Sequence, residues 1–151
     1  MNMISDPNAA RKGWLGLLAK SPAVEVARSW LALKIEPVYM VLRTPEIGGV
    51  MVRGRAGAVG AAFNLGEMTV TRASVKLADG TVGHGYVQGR CKDHALHAAL
   101  VDALMQTAAA EVVEAGVLSP LRAAMKQGKA NRAAKASATK VDFFTMVRGE
   151  D

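Results

Sequence analysis

Cysteine, aromatic side chains and long apolar runs are all scarce in this sequence, and each scarcity removes a class of protein. One cysteine, Cys91, stands among 151 residues. No disulfide can form within the chain, and a reducing compartment suits it. No stretch of about 20 apolar residues occurs, so no membrane-spanning helix is expected. Met1 to Ala10 carries no apolar core behind a basic region, so no secretory signal is expected there and the cytoplasm is the expected location. Aromatics make up 5% of the chain, which leaves Ala, Val, Leu and Met to fill the core. Small side chains let helices and strands approach closely but bury less area per residue. A partner surface would help such a chain.

What is present fits one globular domain over residues 1–151. Half the residues are apolar and 21% are charged, an ordinary globular balance. Nineteen Lys and Arg against thirteen Asp and Glu give a net charge of +6. That excess favours an anionic partner: a nucleotide, a phosphate metabolite, nucleic acid or an acidic protein surface. Much of it lies late in the chain, where Arg122, Lys126, Lys129, Arg132, Lys135 and Lys140 occur with no acid among them.

Periodicity predicts an α+β fold. Asp6-Pro7 and Ser21-Pro22 each read as an N-cap followed by Pro at the first helical position. They open two short helices, with apolar faces Ala10, Trp14, Leu17, Leu18 and Val26, Trp30, Leu33. Pro37 to Thr44 and Val50 to Arg55 read as strands around a turn at Pro45 to Gly49, and Gly54 to Gly66 as a loose glycine-rich stretch. In Met68 to Leu77, Thr69, Thr71, Ala73, Val75 and Leu77 alternate with Val70, Arg72, Ser74 and Lys76 as a half-buried strand requires. Asp79-Gly80 marks a hairpin turn, and Val82 to Gly89 returns. A long helix is expected from Lys92 to Ala115, stopped by Gly116. Ser119-Pro120 then opens an Ala-rich basic helix to about Ala136, and the apolar segment Val141 to Val147 reads as a terminal strand. The prediction is a small antiparallel sheet flanked by N-terminal helices and a long helix.

Few constellations carry chemistry. Gly54, Gly57 and Gly60 lie beside Arg53 and Arg55, where glycines admit a phosphate to backbone N–H groups and arginine supplies paired donors. The spacing matches neither a Walker A loop nor a dinucleotide fingerprint, and a flexible glycine loop is the plainer reading. Arg43, Arg53, Arg55, Arg72 and Arg90 fall at or near strand ends, and alternation could gather several on one face. Solvated sheet positions account for them equally well. Cys91, His94 and His97 are spaced three apart, as neighbours on a helix, but no fourth ligand is evident, so no metal is expected. His94 remains a candidate phosphate contact or proton donor. Asn64, Glu67, Asp93 and Asp102 supply amide and carboxylate groups without forming a paired acid–base site. The basic helix lacks the interleaved aromatics that stack nucleic-acid bases, so nucleic acid is not expected. The tail Lys140 to Arg148 holds two of the three Phe residues. An apolar terminal strand must dock on its own sheet or on another chain.

That tail, Lys140-Val141-Asp142-Phe143-Phe144-Thr145-Met146-Val147-Arg148-Gly149, resembles the terminal motif of the PhnG family of the phosphonate C–P lyase system. Gly66 to Thr69, Thr71-Arg72, Asp79 to Gly83 and Gly89-Arg90 are similar to that family's hairpin. Lys92, His94, Ala95 and Asp102 to Gln106 are similar to the helix after it. The match runs in order over nearly the whole chain. Cys91 departs from the polar or acidic residue expected there, which argues against a metal site built on it.

The resemblance implies a non-autonomous subunit of ribose 1-methylphosphonate 5-triphosphate synthase in the carbon–phosphorus lyase core complex. In that complex a phosphonate displaces the purine of ATP from its ribose carbon and releases adenine; a radical iron–sulfur sister subunit later cleaves the carbon–phosphorus bond. It implies sister core subunits as partners, two copies of this chain per complex, MgATP as substrate of the complex, and no cofactor bound by this chain alone. The implied catalytic groups lie mostly in a larger partner, so none is assigned here. Arg53, Arg55, Arg72, Arg90 and His94 are the candidates for anion or substrate contacts. Lys140, Asp142, Phe143, Phe144, Met146 and Arg148 are the candidates for the subunit interface. A stand-alone nucleotide- or RNA-binding module and a purely structural assembly subunit are the alternatives.

Overall fold

The computed structural model describes residues 8–141. In chain order it has α1 (Ala9–Lys20), α2 (Ala23–Leu33), β1 (Tyr39–Arg55), β2 (Ala62–Leu77), β3 (Val82–Gln88), α3 (Lys92–Leu104), α4 (Ala110–Val113) and α5 (Ser119–Ala138). The strands form one antiparallel sheet in the order β1-β2-β3. The α+β expectation holds. The expected terminal strand lies outside the described residues apart from Val141, as does the Asp6-Pro7 cap.

The core forms where α3 lies on the inner pleat of the sheet. Thr71, Ala73, Val75 and Leu77 of β2 are buried, as alternation predicts, and the last three meet Val87, Ala95, Ala99 and Ala103. The alternation fails at the start of the segment, where Thr69 is exposed and Val70, paired to β1 and β3 at once, is buried. Glycine makes this approach possible. A Cβ on Gly83 would lie 2.0 Å from the Ala99 carbonyl oxygen, and one on Gly85 would lie 1.9 Å from that of Ala95. Ala95, Ala99 and Ala103 recur every fourth residue, so they form one smooth stripe on α3. Small side chains on both elements bring helix and strand backbones nearly into contact, which gives a close-packed core without aromatic bulk. Leu17, Leu18, Val26 and Trp30 close it from the N-terminal helices, and Val113, Val117, Leu118 and Leu121 from the last third.

Several boundaries differ from the sequence reading. Ser21 does not cap α2. Its hydroxyl donates to the Leu17 carbonyl at 2.8 Å and so closes α1, while Pro22 occupies the N-cap position. Pro45 to Gly49 is no hairpin turn. The chain continues as one strand, and the irregularity appears as register shifts between Val41 and Arg43 and between Arg43 and Glu46. A bulge accommodates Pro45 at a sheet edge, where its missing N–H leaves no ladder bond unmade. The real turn comes at Ala56 to Ala61, with Gly57 and Ala58 both at positive φ. The loose Gly54 to Gly66 stretch is therefore the tip of a long hairpin.

α3 also ends earlier than expected, at Leu104. The Thr107 hydroxyl donates to the Leu104 carbonyl at 2.8 Å and accepts from the Ala109 N–H at 3.2 Å, ending one helix and opening the next. Gly116 does not stop a helix. It lies in a wide helical turn, Glu114–Leu118, that runs directly into α5. That widening accommodates Pro120, whose ring would clash with the carbonyl four residues back in a regular helix. Gly116 is needed for packing instead, since a Cβ there would fall 2.3 Å from Leu33 Cδ2.

Candidate functional site

The outer pleat of the sheet, opposite α3, carries two rows of side chains across all three strands. Register places Glu46, Arg72 and Tyr86 in one row and Arg43, Ser74 and His84 in the next. Glu46 accepts from Arg43 Nη1 at 2.6 Å and from Arg72 Nε at 2.7 Å. The two arginines hold its carboxyl below the usual carboxylate range, Arg43 first. Ser74 Oγ and His84 Nδ1 lie 2.9 Å apart. Tyr86 is 49% exposed, so its ring stands open beside Arg72. The result is a solvated polar face with a net positive charge, suited to an anion or a carboxylate-bearing protein surface.

The candidate arginines do not converge. Arg72 sits on this outer face with Arg43. Arg53 and Arg55 project from the opposite pleat of β1, near the hairpin tip, where Arg55 Nη1 donates to the Gly60 carbonyl at 3.1 Å. Arg90 follows β3 and is exposed. Gly89 beside it returns to β2, its N–H donating to the Thr69 carbonyl and its carbonyl accepting from Thr71 Oγ1.

His94 cannot meet an incoming anion. It is 3% exposed, and its Nε2 donates to the Leu18 carbonyl at 2.9 Å, pinning α1 to α3. A carbonyl only accepts, so Nε2 carries the proton. Burial pushes the pKa of His94 down, partly offset by that bond, and burial likewise lowers His97, which stacks on Trp30. The spacing of three therefore reflects helix packing, with His94 turned into the core.

Asp102 is the other buried ionisable group, at 0% exposure. It accepts from Arg11 Nε at 3.1 Å, Arg11 Nη2 at 2.7 Å, Trp14 Nε1 at 2.8 Å and the His84 backbone N–H at 2.8 Å. Asp102 in turn raises the Arg11 pKa, chiefly through the hydrogen bond. Arg11 and Gln106 also donate to the Val82 carbonyl. This network covers the free edge of β3 and is structural. Among the late basic residues, Arg122 pairs with Glu114, and Arg122 lowers the Glu114 pKa. Lys20, Lys129 and Arg132 rim a groove of ≈ 450 Å³ floored by Leu121 and Met125.

Sequence reasoning passed over Glu46, His84 and Tyr86. Alternation in Val82 to Gln88 puts His84 and Tyr86 on one face, but only register shows that face to be shared with Arg43 and Arg72. Of the tail candidates, Lys140 is exposed; Asp142, Phe143, Phe144, Met146 and Arg148 lie outside the described residues. Among the described residues no helix is long and apolar enough to cross a membrane.

The sequence model described as phosphonate metabolism protein PhnG matches residues 9–149, which includes the tail through Gly149. The alpha-D-ribose 1-methylphosphonate 5-triphosphate synthase subunit PhnG of Rhizobium meliloti (strain 1021) is 43% identical over 143 residues, covering 95% of this chain and 92% of that protein. The chain belongs to the PhnG family of phosphonate metabolism proteins.

Proposed function

We propose that this protein is the small subunit of a ribose 1-methylphosphonate 5-triphosphate synthase within a cytoplasmic carbon–phosphorus lyase core complex. One observation carries the reading: identity of 43% to a protein named as a subunit of that synthase, spread over 95% of the chain. Within the complex a phosphonate displaces adenine from the ribose carbon of MgATP, giving a ribose phosphonate triphosphate. Sister subunits supply the catalytic groups, and two copies of this chain serve each complex.

The arrangement of groups supports an assisting role. The buried ionisable residues, Asp102 and His94, are committed to holding helices to the sheet. The exposed cations Arg43 and Arg72 offer charge-assisted donors that an incoming phosphate or a partner carboxylate could take from Glu46. Arg53, Arg55 and Arg90, away from that face, offer further cations to a phosphate or to a partner carboxylate. The tail from Lys140 to Arg148, with Asp142, Phe143, Phe144 and Met146, docks on a sister subunit.

Co-expression with the larger subunits tests both halves. Removing residues 141–151 is expected to release this chain from the complex; an intact complex of unchanged affinity would remove the tail from the interface. Arg72→Ala is expected to lower turnover of the reconstituted complex, and unchanged turnover with unchanged assembly would strike Arg72 from the list. The basic helix α5 favours a second reading, a stand-alone nucleotide- or RNA-binding module. Salt-dependent binding of ATP or RNA to the isolated chain would support that one instead.

A further inference from the structure

The hairpin β1–β2 runs well past the rest of the sheet. β3 pairs with β2 only as far as Val70↔Gln88, whereas β1 and β2 stay paired from Gly48↔Val70 out to Arg55↔Ala62. The chain leaves the sheet at Gly89, whose φ of +93° turns it towards α3. Among the described residues the ribbon beyond that point has two strands, a single 3-10 turn at Ala56–Ala58, and no third strand or α-helix. Eight paired residues at about 3.3 Å each carry it some ~26 Å outward.

Its composition does not suit an arm left in water. Residues 48–70 hold three charged side chains, Arg53, Arg55 and Glu67. They also hold exposed apolar ones: Met51 at 54%, Val59 at 91%, Phe63 at 45% and Leu65 at 67%. Met51 lies on the pleat with Arg53 and Arg55, while Phe63 lies across from Gly54 on the other pleat. Both faces are therefore sticky. Six glycines in the same stretch weaken a strand that nothing supports, since Gly in a strand interior costs about 0.5–1 kcal/mol relative to Ala. A lone two-stranded ribbon is marginal in water.

From these features we infer that residues 48–70 form a docking arm that inserts between two walls of a sister subunit of the synthase, rather than resting on a flat surface. This inference rests on the subunit reading proposed above. Apolar side chains on both pleats need a cleft, because a flat contact would leave one face wet. Arg53 and Arg55 form no ion pair with a carboxylate among the described residues, so the cleft presents Asp or Glu to that pleat. The arm's 23 residues match the 20–30 per side that a standard protein–protein interface uses. Gly54, Gly57, Gly60 and Gly66 keep the ribbon thin enough to slide in, and its backbone can approach the partner closely.

Hydrogen exchange of the full chain, alone and in the assembled complex, tests this directly. Amides of residues 48–70 are expected to exchange fast in the free chain and at least about tenfold more slowly in the complex. A complex that forms while the arm keeps its free exchange rate overturns the arm and leaves the subunit reading standing. Failure of any complex to form overturns both. Slow exchange in the free chain that depends on protein concentration assigns the arm to a second copy and overturns the inference. Two variants add a second readout. Leu65→Asp, and separately Arg53→Glu with Arg55→Glu, are each expected to raise the dissociation constant of the complex at least about tenfold while the free chain unfolds at the wild-type midpoint. Unchanged affinity in both would also overturn the arm.

Discussion

The two halves of β2 show how differently one strand can be used. From Thr71 to Leu77 every second side chain is buried against α3, and the strand has neighbours on both sides. From Ala62 to Thr69 the same strand buries none and has a neighbour on one side. The inner half is held by shape, because Gly83, Gly85 and the alanine stripe leave no slack. The outer half is held by backbone pairing alone. Glycine marks both halves for opposite reasons. It is compulsory at Gly85, where a backbone oxygen fills the space a Cβ would need, and free at Gly66, where a Cβ would meet nothing within 4 Å.

That contrast can be broken most severely at the helix–strand seam. Gly85→Val should abolish cooperative unfolding, since the carbonyl of Ala95 cannot retreat without moving α3. Gly66→Ala should leave the unfolding free energy from urea titration within about 0.5 kcal/mol of wild type. Equal effects at the two glycines would mean that the seam is slack.

A smaller but still large effect is expected at Asp102. Asp102→Ala strands the Arg11 guanidinium, the Trp14 N–H and the His84 N–H together, and should lower stability by about 3–5 kcal/mol in denaturant unfolding. A loss below about 1 kcal/mol would show that water replaces the carboxylate cheaply.

The pH dependence sharpens the same division. His94 and His97 belong to the compact half, and burial lowers both pKa values. The folded protein holds them neutral, whereas the unfolded chain protonates near the ordinary imidazole value of about 6.5. Above that value neither state is charged and their contribution is undisturbed. As the pH falls through it, the unfolded state takes up protons that the folded state refuses, so stability drops. The unfolding free energy measured in denaturant should fall between about pH 7 and 5, by up to about 1.4 kcal/mol per pH unit for each group. His94→Gln keeps a donor for Leu18 and should flatten the curve. The mildest expected outcome is at Glu46, on the solvated face. Glu46→Gln should leave the unfolding midpoint unchanged while freeing Arg43 and Arg72, which would show as tighter binding of inorganic phosphate to the full chain.

Local signals predicted much of the compact half. Thr71, Ala73, Val75 and Leu77 announced their buried pleat, and Asp79-Gly80 the turn, because both depend on adjacent residues. Helix boundaries were harder to read, because Thr107 and Pro120 act through hydroxyl bonds and a widened turn that an apolar periodicity conceals. Pro45 looked like a turn because a proline in a strand is tolerated only where its N–H faces no partner, and edge position is a property of the assembled sheet. The same limit explains His94 and Asp102. Their burial depends on Leu18, Arg11 and Trp14, which a linear reading places far away. The outer face escaped notice for the same reason, since Arg43, Ser74 and His84 meet only through register. Family resemblance, carried by contiguous motifs, needed no such register.

The ties between α1 and α3 also set an order of events as the chain is made. Arg11 waits 91 residues for Asp102, and Leu18 waits 76 for His94. At bacterial-scale synthesis rates of about 5–20 residues per second, α1 leaves the ribosome about 5–20 s before anything exists to hold it. Its Trp14, Leu17 and Leu18 face stays uncovered for that interval. The hairpin, whose pairs are close in sequence, can form meanwhile. Birth of this protein therefore runs from the middle outward, with the first helix among the last pieces to settle.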